Sequence, residues 1–87
     1  MDINKIRSIE GKKSLIKAKD KQYEVKWSIQ WDDRLAAYYI FSFPTPVVGV
    51  IPMHGDYKLF PVGGNRYMQK EAALLIQKLI GISKCQS

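Results

Sequence analysis

From Tyr23 to Trp31 the chain alternates without a break. Tyr23, Val25, Trp27, Ile29 and Trp31 are separated by Glu24, Lys26, Ser28 and Gln30. Successive side chains of a β-strand point to opposite faces, so this segment is a strand with one apolar and one wet face. A lone strand of that kind is unstable in water. It needs antiparallel neighbours and a layer that covers its apolar side.

The neighbours can be read on either side. A strand over Lys13 to Lys19 precedes it, with Asp20 and Lys21 as the turn, and Asp32 and Asp33 turn the chain into a third strand, Leu35 to Phe43. Pro44-Thr45-Pro46 leads to a fourth, Val47 to Met53, and His54, Gly55 and Asp56 to a fifth, Tyr57 to Val62. Pro52 and Pro61 belong at an edge or a bulge, since proline has no N–H for the ladder. Gly63 and Gly64 end the sheet.

The covering layer follows. Asn65 suits the N-cap of a helix from Arg66 to Ile80, in which Met68, Ala72, Leu75, Ile76 and Leu79 recur at helical spacing, and Gly81 with Ile82 suits its C-cap. Asp2 can cap a short helix through Ile3, Ile6 and Ile9 that Gly11 ends. The expected fold is α+β: an antiparallel meander of four to five strands, open or closing toward a barrel, packed against one C-terminal helix. Residues 1–87 make one small domain, with 1–11 a mobile or helical lead and 83–87 a frayed tail. Its core should hold Ile16, Val25, Trp27, Ile29, Ile40, Val48, Val50, Leu59, Met68, Ala72, Leu75, Ile76 and Leu79.

Register turns this order into a statement about faces. With Ala18 opposite Tyr23 and Ile16 opposite Val25, Lys13, Lys17, Lys19 and Lys26 share the other face, and a first loop of two or four residues gives the same sidedness. If Asp32 and Asp33 form a two-residue loop, Trp27 pairs with Tyr38 and Val25 with Ile40. Ala37, Tyr39, Phe41 and Phe43 then join the lysines. A three-residue loop flips the third strand and sends those rings to the core instead, because a slip of one residue exchanges the faces. The helix should cover the face of Val25, Trp27 and Ile29, since burying lone lysines costs several kcal/mol each.

Charge bears on the partner. Up to Lys26 there are eight basic and four acidic residues, and beyond it six and four, so +4 of the net +6 lies in the first strands. Lysines beside exposed rings are how sequence-tolerant single-stranded nucleic-acid sites work: phosphates need charge, and every base has a face to stack. Lys13, Lys17, Lys19 and Lys26 are the candidates for phosphates, and Tyr39 and Phe41 for stacking. In the plainer alternative the lysines only solvate the face and the rings are core. An interaction module (an inhibitor, adaptor or subunit of an assembly) could use the same lysines on an acidic protein surface, and a homodimer could form through an edge strand. Trp31 is either a rim anchor for such a partner or a lid on the core.

The stretch Gly63-Gly64-Asn65 through Lys70-Glu71-Ala72-Ala73 resembles the end of a double-stranded RNA-binding domain, which also passes from a hairpin into an Ala-rich helix. The lysine cluster which that family places at the helix start is missing here. In element order, a meander followed by one helix, the chain is similar to single-strand binders of the Whirly type.

Catalysis is not expected. His54 is the one histidine and has no ligand partner at metal spacing, Ser42 and Ser83 have no base in useful context, and Asp32 and Asp33 occupy a turn. Gly63-Gly64-Asn65 before a helix invites a phosphate site, but its spacing fits neither the P-loop nor the dinucleotide fingerprint. No metal or cofactor is implied. Leu35 to Met53 runs nineteen residues without a charge, yet its prolines and β-branched residues argue strands rather than a membrane helix. The single cysteine, Cys85, fits a reducing compartment, and no secretory signal is visible, so a cytoplasmic location is expected.

Overall fold

The computed structural model describes residues 3–81. The order is α1 (Ile3–Arg7), β1 (Lys13–Ala18), β2 (Lys21–Asp32), β3 (Ala37–Ser42), β4 (Thr45–Met53), β5 (Asp56–Pro61) and α2 (Arg66–Ile80). The five strands form one antiparallel sheet in chain order, curled into a half-barrel. This is the α+β meander expected. Asp2 and Ile82 to Ser87, including Ser83 and Cys85, lie outside the described residues.

The helix α2 packs against β1 and β4 on the concave side and against α1. Ile16, Val25, Trp27, Ile40, Val48, Val50, Ala72 and Ile76 are buried there, with Ile29, Leu59, Met68, Leu75 and Leu79 packed around them. Ile6, Ile9, Tyr38, Val47 and Tyr57 complete the core. Asn65 caps α2 by accepting from Met68 N at 2.9 Å, which satisfies one of the orphan amides of the first turn. At the other end Gly81 takes φ 106 and its N–H donates to Gln77 O. Gln69 Nε2 holds Gly63 O at 3.0 Å, so the Gly63-Gly64-Asn65 loop turns the chain and seats the helix.

Trp27 is the pivot. Its ring is fully buried and its Nε1 donates to Ser14 Oγ at 2.8 Å. Its backbone pairs with Gly11 N and Lys12 O, so the segment after α1 extends the sheet past the start of β1. Ile6 and Ile9 are thereby fixed in the core rather than left on a mobile lead.

Both hairpins differ from the expected register, for a local reason in each case. The first link is Lys19-Asp20, with Lys19 in the left-handed region at φ 56, so Ile16 pairs with Tyr23 and Ser14 with Val25. Lys19 is consequently at the hairpin tip and not on the strand face. The second loop is longer than the pair Asp32-Asp33. The Asp32 carboxylate accepts from Arg34 N at 2.9 Å and Leu35 N at 3.4 Å, and Ala36 takes φ 51, so β3 begins at Ala37. Trp27 therefore pairs with Ser42 and Ile29 with Ile40. Both shifts are by an even number of residues, which preserves the faces. The turn after β3 is Phe43-Pro44, joined by a cis peptide, and Thr45 and Pro46 already belong to β4.

Candidate functional site

The convex face of the half-barrel carries the basic and aromatic side chains together. On β1 and β2 the cross-strand pairs Lys13↔Lys26, Leu15↔Glu24 and Lys17↔Gln22 point outward. On β3 Tyr39 and Phe41 do so, opposite Gln30 and Ser28. Lys13, Lys17 and Lys26 are exposed, while Tyr39 and Phe41 are half-buried. The structure thus brings five of the six expected residues to one face, with Lys19 at its corner. Ala37, which shares that parity, is buried.

The lysine pair is the unusual element. Lys13 and Lys26 are directly opposite, with Cβ atoms about 5 Å apart, and like charges so placed repel. Among the described residues neither is held in an ion pair. Glu24, one step away on β2, is the nearest acidic group on that face by register.

Rings continue outward from the lysines. Phe43, in the turn after β3, is 86% exposed and shares a depression with Lys26. Two depressions flank it. The first, of about 330 Å³, is lined by Glu10, Glu24, Lys26, Ser28, Ser42 and Phe43 among others. The second, of about 270 Å³, takes in Glu10, Ser28, Gln30, Phe41, Phe43 and Pro44. On the far side Tyr39 meets Phe60 edge to face at 6.1 Å between centroids. Phe60 and Lys58 lie on the same face as Tyr39, because Gly49 pairs with both Tyr39 and Phe60 and Ile51 pairs with Lys58.

Phe60, Lys58 and Glu10 were not among the expected site residues. The first two were legible, because placing Leu59 in the core puts its neighbours outside by alternation. Glu10 carried no such signal, since it reaches the face from the segment before β1. Its Oε1 accepts from Ile29 N at 3.0 Å, taking the place of a neighbouring strand at that edge of β2.

Trp31 is at the rim, 47% exposed, its ring 4.8 Å from that of Tyr38 and its Nε1 donating to Asp33 Oδ1. With Ile3, Arg7, Glu10 and Ile29 these rings line a groove of about 630 Å³ between α1 and the sheet. His54 sits in the β4–β5 turn, and among the described residues no group of three or more His, Cys, Asp or Glu could hold a metal. No described helix is long and apolar enough to cross a membrane. The outer edge strand β5 is blunted: Tyr57 N donates to Asp56 Oδ1, and Pro61 has no N–H. No family model, curated protein or solved structure matches the chain.

Proposed function

We propose that this chain binds single-stranded nucleic acid across its convex sheet face. The carrying observation is the in-register Lys13↔Lys26 pair on the same face as Phe41, with the exposed Phe43 in the turn that follows β3. An anion between two opposed ammonium groups turns their repulsion into attraction, and phosphates supply it. Lys17 and the tip residue Lys19 extend the positive track, while Tyr39, Phe41 and Phe43 offer ring faces to bases. Stacking and phosphate contacts carry little sequence information, so binding of unpaired strands of many sequences is expected.

The test is titration of a labelled single-stranded oligonucleotide at increasing salt. Affinity should fall with log salt at about 0.7 per phosphate neutralised. Lack of binding at low salt would refute the proposal.

A second reading rests on Leu15, 52% exposed between Lys13 and Lys17 on the outermost strand. An apolar side chain among cations suits an acidic protein surface as well as it suits a base. Recovery of one stoichiometric protein partner after nuclease treatment, with no affinity for oligonucleotides, would favour it.

A further inference from the structure

We infer that Glu10 reads a base edge on this face and selects cytosine over thymine, an inference that rests on the single-strand reading above. Glu10, Ser28 and Phe43 are the residues common to the two depressions beside Phe43. A base stacked on Phe43 therefore lies beside Glu10.

That carboxylate is held in place. Besides the bond from Ile29 N to Oε1, its chain neighbours are anchored on both sides: Ile9 is fully buried, and Gly11 N donates to Trp27 O at 2.8 Å. The bond from Ile29 N occupies Oε1 and leaves Oε2 to accept from a ligand. An ionised carboxylate only accepts hydrogen bonds. Cytosine offers the N4 amino group as donor, where thymine offers the O4 acceptor and a methyl group. The two pyrimidines stack on similar areas, so the edge decides between them. Ser28, whose hydroxyl both donates and accepts, tolerates either.

Binding of equal-length oligo(dC) and oligo(dT) at neutral pH and one salt concentration tests this. Wild type should bind oligo(dC) about tenfold more tightly. Glu10→Gln keeps an acceptor for Ile29 N and should bring the ratio close to one. Glu24→Gln, which removes a charge lining only the first depression, should tighten both oligonucleotides in parallel and keep the preference. The wild-type ratio is itself decisive and needs no folded variant. Equal binding of the two by wild type, or a cytosine preference that survives in Glu10→Gln, overturns the assignment to Glu10 and leaves the lysine and aromatic platform standing. Binding of neither oligonucleotide removes platform and assignment together.

Discussion

Gly49 and Phe60 face each other across β4 and β5, and the Phe60 ring lies over the glycine. A Cβ built on Gly49 would sit 2.5 Å from Cε1 and 2.6 Å from Cε2 of that ring, and closer still to Cζ. The missing side chain lets a phenyl ring lie down on a water-facing surface and meet the edge of Tyr39. Gly49→Ala should therefore evict the ring and break the Tyr39 contact, costing about 0.5 to 1.5 kcal/mol for the lost aromatic pair. Urea denaturation of Gly49→Ala, Phe60→Ala and the double variant forms the check. The glycine substitution should be nearly silent once the ring is gone, and additive losses would contradict the geometry.

Lys13 and Lys26 should separate stability from binding. Lys13→Glu replaces a like-charge cross-strand pair by an opposite one, worth up to about 1 kcal/mol in the other direction. The thermal midpoint should hold or rise. Oligonucleotide affinity should fall, and its dependence on log salt should flatten by at least about 0.7. A variant that binds as well as wild type would mean that the pair meets no phosphate.

Fold class and the identity of the core were legible because they depend on alternation and helical spacing, which survive errors in loop length. Every residue assigned to the core from sequence is packed on the concave side or against it. The position of the first turn and the length of the second were not legible. Whether a lysine will accept φ 56, or an aspartate will gather the amides of Arg34 and Leu35, depends on competition among turns that differ little in energy. The faces came out as expected only because both errors were even. Lys19 was misplaced for the same reason, one residue of turn geometry moving it from strand to tip. Ile6 and Ile9 were missed as core because their burial depends on the Gly11–Trp27 bond, a contact between segments far apart in the chain. Glu10 was missed with them.

Ser14 stands in for water at the heart of the sheet. Its hydroxyl receives the Trp27 indole N–H on a ring that is fully buried. Ser14→Ala leaves that donor unpaired and should cost about 1 to 3 kcal/mol. Trp27→Phe opens a cavity of its own, but it should cost less in the Ser14→Ala background than in wild type, because there it also removes an orphan N–H. Chemical denaturation of the two single variants and the double variant measures the coupling.

Ile40 and Phe41 are consecutive on β3 and should behave oppositely, which tests the sidedness from which the functional proposal starts. Ile40 is fully buried beneath the sheet, and Phe41 is half-buried on the uncovered face. Truncating Ile40 to Ala opens a cavity and should cost about 2 to 5 kcal/mol. Truncating Phe41 to Ala removes only partial burial and should cost about 1 kcal/mol. In binding the order reverses: Phe41→Ala should lose the free energy of stacking one base, about 1 to 3 kcal/mol, while the Ile40 variant keeps its affinity at temperatures where it remains folded. Unfolding and oligonucleotide binding measured on the same two proteins resolve it. A Phe41 variant that collapses while the Ile40 variant stays stable would put the ring inside and end the stacking surface.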